Sequence, residues 1–139
     1  MVGFVLDASI AISWCFPGEP TEDTPYSRAI LMRLATEDAL VPEIWPFEIA
    51  NNIFVSFTRR KRINEQQVQE YLARLKALPI QVKTRSLGAN IDLESAARRL
   101  DIAAYDVAYI ELARLAKLPL ATSDSRLCEV AKAEGIPIL

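Results

Sequence analysis

Short apolar runs alternate along this chain with longer segments that carry apolar residues at helical spacing. Strands are predicted at residues 2–6, 39–41, 80–82, 118–122 and 136–139, and helices at 8–16, 24–36, 45–60, 93–100, 105–117 and 125–134, with a further helix capped by Asn64. Because helices separate the strands, neighbouring strands are expected to run parallel in one sheet. We therefore predict an α/β fold with a mainly parallel central sheet flanked by helices.

The length of the chain limits its organisation. Its 139 residues suffice for one compact domain, and no change of composition suggests a second, so a single domain over residues 1–139 is expected. No apolar run is long enough to cross a bilayer, and the N-terminus lacks the pattern of a signal peptide. Cys15 and Cys128 are isolated and are interpreted as reduced core residues. These features favour a cytoplasmic protein without a membrane partner.

The sequence contains no histidine. Imidazole general bases, Ser-His-Asp triads and histidine-containing metal sites are therefore excluded. The glycines are also too scattered to form a phosphate-binding loop. If the chain is an enzyme, carboxylates are expected to carry its chemistry, alone or through a bound metal.

Two acids follow predicted strands. Asp7 comes directly after the first strand, and Asp124 follows the strand at 118–122, in each case beside hydroxyl residues and before a helix. Parallel α/β sheets bind ligands at the carboxyl edge of their strands, so both acids are expected at that edge. An N-cap is the structural alternative for each, although Ser9 could cap the first helix and free Asp7.

Two further acids lie on predicted helices. Glu48 is in the first turn of a largely apolar helix, where the helix dipole would stabilise it, and it shares a polar stripe with Asn51 and Asn52. Asp106 shares its helix face with Ile110, and an unpaired charge on an apolar face is costly. We expect Glu48 and Asn51 to line a site, and Asp106 to be retained there for function.

The four acids together suggest a metal site. Carboxylates that converge on one cleft repel one another unless protons or a cation neutralise them. Oxygen ligands favour Mg²⁺ or Mn²⁺ over zinc, and one or two such ions can activate water to attack a phosphodiester bond in line. The hypothesis is a metal-dependent nuclease whose catalytic, metal-binding acids are Asp7, Glu48, Asp106 and Asp124.

Five segments cover nearly the whole chain in a recognisable order: VLDASIAISWCF, VPEIWPFEIANNI, AAYDVAYIELA, LPLATSD and AEGIPIL. In this order they resemble the PIN-domain ribonucleases, and most closely the VapC toxins of bacterial and archaeal toxin–antitoxin pairs. The resemblance implies a three-layer PIN-like fold and an endoribonuclease that depends on Mg²⁺ or Mn²⁺.

The resemblance also assigns roles to residues and implies partners. It places the same four acids at the metal site, with Ser9 and Thr122 as supporting hydroxyls. PIN domains vary in the fourth acid, so Asp124 is expected to bind metal, to position water or to orient another ligand. The family further implies a homodimer, inhibited by a cognate antitoxin protein that inserts a segment into the active-site groove.

Basic residues end the helix predicted at 45–60. Arg59, Arg60 and Arg62, together with Arg126, are the candidates for contacts with the RNA backbone, although cations also favour helix C-termini for structural reasons. The net charge of −2 argues against non-specific binding of nucleic acid over the whole surface.

Two segments carry more apolar surface than a single helical stripe requires. They are IFVSF at residues 53–57 and the Ile30-Leu31-Met32 segment. Core packing explains most of this surface, and the remainder would suit a dimer contact or a groove for an antitoxin helix.

Two other functions fit parts of the pattern. A haloacid-dehalogenase-like hydrolase also places an aspartate after its first strand, but DASIA lacks the expected DxD turn and no acid pair follows the late strands. A non-catalytic PIN-like or receiver-like binding module is the principal alternative, and it would show no carboxylate-dependent Mg²⁺ site.

Overall fold

The computed structural model describes all residues from 1 to 139. Its strands are β1 (Val2–Leu6), β2 (Asp38–Pro42), β3 (Ile80–Lys83) and β4 (Leu120–Ala121). Its helices are α1 (Ala8–Ser13), α2 (Pro25–Arg33), α3 (Trp45–Phe54), α4 (Glu65–Lys76), α5 (Leu87–Ile91), α6 (Leu93–Leu100), α7 (Ala104–Ala116) and α8 (Ser125–Ala133), and a π-helical turn, Val55–Arg59, continues α3. None of the helices combines the length and apolar character that a membrane crossing requires.

The four strands form one parallel sheet in the order β3-β2-β1-β4. The predicted α/β architecture with helices around a parallel sheet is therefore confirmed. Leu6 at the end of β1 pairs with Ala121 at the end of β4, and the Asp7 N–H donates to the Ala121 carbonyl at 2.9 Å. The residues that follow β1 and β4 consequently emerge side by side at one edge of the sheet.

The central strands are buried on both faces. Phe4, Val5 and Leu6 of β1 are fully buried, as expected for a near-continuous apolar run within a parallel sheet. Helix α7 packs against β1 and β2 through buried residues that include Tyr109 and Ile110, while α1 packs against α2 and α3. This packing fixes α3 and α7, the helices that carry Glu48 and Asp106, relative to the sheet.

The last strands are shorter than predicted. The strand expected at 118–122 is reduced to Leu120–Ala121, and the strand expected at 136–139 is a single bridge between Ile138 and Leu120. Pro119 and Pro137 explain the difference, because proline has no N–H to donate to a strand ladder.

Two helical segments also differ from expectation. Helix α5 was not predicted, because its apolar residues are exposed and show no core-facing period; the Ser86 hydroxyl caps it by accepting from the Ala89 N–H at 3.1 Å. The helix predicted at 45–60 changes to a π-helical turn after Phe54, with the Arg60 N–H donating to the Val55 carbonyl at 2.9 Å.

Candidate active site

Asp7 is a buried carboxylate at the carboxyl edge of β1, with 5% of its surface exposed. The hydroxyls of Ser9 and Thr122 both donate to its Oδ2 atom at 2.7 Å, and its side chain makes no capping bond to α1. Burial raises the pKa of Asp7, the two donated hydrogen bonds oppose that rise, and the charge of Asp124 adds to it. The Asp7 side chain is therefore held mainly by the two hydroxyls rather than by capping of α1.

The loop after β4 is tied to the loop after β1 through hydroxyl groups. The Asp124 N–H donates to Thr122 Oγ1 at 3.0 Å, and the Ser123 N–H donates to Ser9 Oγ at 3.2 Å. Asp124 is exposed and caps α8, since its Oδ1 atom accepts from the Leu127 N–H at 3.0 Å. Its Oδ2 atom accepts no hydrogen bond from the protein, so capping leaves half of this carboxylate free.

Glu48 lies in the first turn of α3 and is half-buried. The Tyr109 hydroxyl donates to its Oε1 atom at 2.7 Å. Burial raises the pKa of Glu48 to about 7; the Tyr109 hydrogen bond opposes this rise, and the charges of Asp7 and Asp106 add to it. Glu48 forms no ion pair with lysine or arginine that would offset this rise.

Asp106 lies in the first turn of α7, next to the buried face that contains Ile110. Burial raises its pKa to about 6, with further contributions from the charges of Asp7 and Asp124, and its carboxylate accepts no hydrogen bond from the protein. The prediction that this acid lies against apolar surroundings is consistent with the half-buried position that the structure gives it.

The four acids come from four separate elements and act electrostatically on one another, and none of them forms an ion pair with lysine or arginine. The family model of the PIN domain matches residues 4–133, a span that includes all four acids. The chain belongs to the PIN-domain family. No curated protein sequence matches it significantly. PIN domains are in general nucleases that depend on divalent metals.

The residues of this PIN domain fit a hydrated Mg²⁺ or Mn²⁺ ion. As they stand, no three acidic or thiol side chains are close enough together to hold a metal ion directly. Mg²⁺, however, keeps several of its waters and is commonly held through only one or two carboxylates. The donors are all oxygen atoms, Asp106 has unused acceptor capacity, and burial together with the neighbouring acids raises the pKa values of Glu48 and Asp106, which a bound cation would lower.

Asn51 and Arg60 lie beside Glu48 in this PIN domain. Together with Asn52, Phe47 and Tyr105, among others, they line a cavity of about 520 Å³ that opens next to the Glu48 carboxylate; we refer to it as the Glu48 cavity. Asn51 and Arg60 are both exposed, so a ligand can reach them.

The other basic residues predicted to contact RNA differ in whether their guanidinium groups are available to a ligand. The Arg59 guanidinium lies 5.7 Å from the centre of the exposed Phe54 ring, and the exposed Arg126 donates to the Leu100 carbonyl at 3.5 Å. Arg62 is instead engaged within the fold: its guanidinium lies 3.8 Å above the Phe16 ring and pairs with two glutamates, Glu19 and Glu22.

Tyr109 is a site residue that the sequence reasoning missed. It is fully buried, and its hydroxyl donates to Glu48 and accepts from the Ala8 N–H at 3.4 Å. One hydroxyl thus connects α7, α3 and the start of α1. The available signal was its position three residues after Asp106, on the same helix face, but a tyrosine within an apolar helix is ordinarily a core residue.

We expect Tyr109→Phe to reduce metal-dependent cleavage by about 10-fold, the lower end of the effect of outer-shell substitutions at metal sites. The ring stays in the core, whereas Glu48 loses the hydrogen bond that orients it and lowers its pKa. The measurement is the cleavage rate as a function of Mn²⁺ concentration, compared with stability in urea.

Tyr71→Phe is the matched control for Tyr109→Phe. The Tyr71 hydroxyl is also buried and donates to the Ala11 carbonyl at 2.6 Å, but it contacts no acid. Both variants should lose about 1 kcal/mol of stability, the usual worth of one buried hydrogen bond. Equal losses of cleavage in the two variants would contradict a positioning role for Tyr109.

The metal-free protein should become more stable as the pH falls from about 7 to about 5. Glu48 and Asp106 have folded pKa values of about 7 and about 6, above their ordinary values of 4.5 and 3.8. The folded state therefore binds more protons than the unfolded state in this range, so acidification favours folding. Acids with lowered pKa values, such as Asp23 and Glu134, are protonated only at lower pH, and their stabilising effect on the fold is lost only there.

Urea unfolding in EDTA across this pH range measures the effect. Glu48→Gln has no titrating group at this position and should flatten the dependence. A stability that falls steadily from about pH 7 to about pH 5 would contradict the raised pKa values.

Proposed function

We propose that this PIN domain is an endoribonuclease that depends on Mg²⁺ or Mn²⁺ and hydrolyses RNA with water as the nucleophile. The observation that carries the proposal is the electrostatic interaction among four carboxylates, carried by four separate elements, none of which forms an ion pair with lysine or arginine. Such an arrangement reduces stability, so a function that requires it is the physical reason for its presence.

The acids would hold the ion in this proposal. Asp7, Glu48 and Asp106 are the three with raised pKa values and are assigned as its ligands, directly or through water. Asp124 is assigned to the same site through the Oδ2 atom that capping leaves free. A bound divalent ion supplies an activated water and neutralises charge on the phosphate that is attacked.

Hydroxyl residues support the acids. Ser9 and Thr122 both donate to one oxygen atom of Asp7, which fixes the rotation of the carboxylate and directs its other oxygen away from them. Thr122 also accepts from the Asp124 N–H, so the same hydroxyl sets the relative position of two acids. Their proposed role is orientation of the acids.

The RNA backbone is proposed to cross the Glu48 cavity. Arg60 and Asn51 line this cavity beside Glu48. Arg59 and Arg126 are also exposed: Arg59 ends the π-helical turn that continues α3, and Arg126 follows Asp124 by two residues. Arg62 is left out of the proposed contacts, because its ion pairs and its stacking on Phe16 already occupy its guanidinium.

Arg60→Gln should lower the salt dependence of RNA binding. One phosphate contact fewer reduces the slope of log affinity against log salt by about 0.7 for a single strand. The matched control is Lys132→Gln, which removes an exposed charge at the far end of α8 from Asp124. Anisotropy titrations of a labelled single-stranded RNA at several salt concentrations measure both slopes, and identical slopes for the two variants would exclude Arg60 as a phosphate contact.

We also propose that the enzyme acts as the toxin of a toxin–antitoxin pair and forms a homodimer. An apolar groove of about 750 Å³ lies between α3, the π-helical turn, α4 and β3. It includes Ile53, Phe54 and Phe57 of the IFVSF segment, and Met32 on α2 is also exposed, whereas Ile30 is a core residue. A groove of this kind suits the apolar face of an antitoxin segment. Growth arrest on expression in bacteria, lost in Asp7→Asn, tests the toxin role.

The direct test of nuclease function is incubation of the purified protein with total RNA in Mg²⁺, in Mn²⁺ and in EDTA. Cleavage in either metal that stops in EDTA is expected. Membership of the PIN family replaces the haloacid-dehalogenase hypothesis. A folded protein that neither cleaves RNA nor binds Mn²⁺ would instead be the non-catalytic binding module.

A further inference from the structure

A second cavity, of about 440 Å³, lies beside Asp7 and is separate from the Glu48 cavity. Hydroxyl residues dominate its wall, and those that bear on its function are Ser9, Thr21, Thr122, Ser123 and Ser125. We call it the hydroxyl cavity. Ser9 and Thr122, the residues that orient Asp7, form its boundary with the acids, so a group bound there would adjoin the site of the reaction.

Several hydroxyls in this cavity have no partner within the protein. The Tyr26 hydroxyl is closed off from solvent beside the Thr122 backbone N–H, so a ligand in the cavity cannot reach it. The hydroxyls of Thr21, Ser123 and Ser125, by contrast, make no hydrogen bond within the protein and line the open space. The cavity therefore offers donors and acceptors that the fold itself does not use.

The charge of the cavity selects the kind of group that it can bind. Its ionisable carboxylates are Glu22 and Asp124, and neither lysine nor arginine lines it. Glu22 faces the Arg62 guanidinium at 3.6 Å, which leaves Asp124 as the unpaired charge. Without lysine or arginine in its wall the cavity has no group that binds a phosphate directly, whereas a neutral group rich in hydroxyls and ring nitrogens would be hydrogen-bonded. The volume is within the range of roughly 300–1,000 Å³ typical of small-molecule sites.

A preference for RNA over DNA would require such a site. Hydrolysis by an activated water does not use the 2′-hydroxyl of the substrate, so the chemical step alone does not distinguish RNA from DNA. A nuclease of this kind that prefers RNA must therefore recognise ribose by binding, and the 2′-hydroxyl, both donor and acceptor, is the group by which proteins make this distinction.

We propose that the hydroxyl cavity binds the ribose and base edge of the nucleotide next to the cleaved phosphate, and that its unpartnered hydroxyls give the enzyme its preference for RNA over DNA. The inference rests on the proposed nuclease function. In this arrangement the phosphate lies at the acids, and the neutral part of the adjoining nucleotide occupies the cavity.

The test compares RNA and DNA binding by variants of the unpartnered hydroxyls. The double variant Ser123→Ala, Ser125→Ala is made in an Asp106→Asn background, which is expected to prevent cleavage in Mg²⁺. The probes are fluorescent, short single strands of random sequence, one RNA and one DNA. The background protein is expected to bind RNA more tightly than DNA. In the double variant the ratio of RNA affinity to DNA affinity should fall about tenfold, the effect of losing two neutral hydrogen bonds, while the affinity for DNA stays unchanged.

Ser95→Ala is the matched control, because Ser95 is exposed on α6, makes no hydrogen bond and lies outside the cavity. Equal weakening of RNA and DNA, an unchanged preference for RNA in the double variant, or no preference for RNA at all would each overturn the inference. Because binding is read without cleavage, the result is distinct from that of the nuclease test: a protein that cleaves RNA but keeps its preference in the double variant refutes only the role of the cavity.

Discussion

Asp7→Asn is expected to abolish RNA cleavage and to leave the protein at least as stable as the wild type. The loss of activity should exceed about 100-fold, the upper end of the cost of outer-shell substitutions at metal sites. The fold should tolerate the change, because an asparagine oxygen can still accept from Ser9 and Thr122. The buried negative charge, whose cost is reflected in the pKa of Asp7 being raised by burial, disappears.

The paired measurements are the cleavage rate in Mn²⁺ and the free energy of unfolding in EDTA at neutral pH. Asp101→Asn is the matched control: Asp101 is exposed at the end of α6, and its left-handed φ of 56° suits asparagine. Full cleavage by Asp7→Asn would refute the proposed metal site, and a marked loss of stability would show that Asp7 is chiefly a structural residue.

Mn²⁺ should stabilise the folded protein against heat. A ligand that binds only the folded state adds about 2.7 kcal/mol at one hundred times its dissociation constant, which for a chain of this size corresponds to a rise in Tm of roughly 5–10 °C. The effect should be larger at neutral pH than at about pH 5, where protons neutralise Glu48 and Asp106.

Thermal unfolding in Mn²⁺, in Mg²⁺ and in EDTA provides this measurement, with sodium chloride of equal ionic strength as the control for screening. Asp106→Asn should lose most of the stabilisation, and Asp101→Asn should keep it. An equal rise of Tm in all three proteins would indicate non-specific binding of the cation elsewhere on the surface.

The sequence was sufficient to predict the positions of the acids, because those positions follow from local patterns. An acid directly after a buried strand and an acid on an apolar helix face are visible within about ten residues of sequence. The sheet topology then brings Asp7 and Thr122 together through the pairing of β1 with β4; the alternation of strands and helices indicated a parallel sheet but not which strands are neighbours.

Features that depend on contacts between distant segments were not predictable in this way. The hydrogen bond from Tyr109 to Glu48 joins residues 61 positions apart, and the ion pair of Arg62 with Glu19 joins residues 43 positions apart. Arg62 resembled its basic neighbours in sequence, and only the path of the chain after the π-helical turn distinguishes it. The shortening of the strand at 118–122 was visible in Pro119, but the apolar residues around it outweighed that signal.

The prolines around β4 also determine where this sheet can grow. Pro119 and Pro137 leave few free N–H groups on the β4 side, and the bridge from Ile138 to Leu120 covers that edge. The opposite edge is β3, whose outer residues Gln81, Val82 and Lys83 are exposed. Any added strand, whether from a binding partner or from a misfolded neighbour, therefore has one edge available, and the charge of Lys83 disfavours unwanted pairing there.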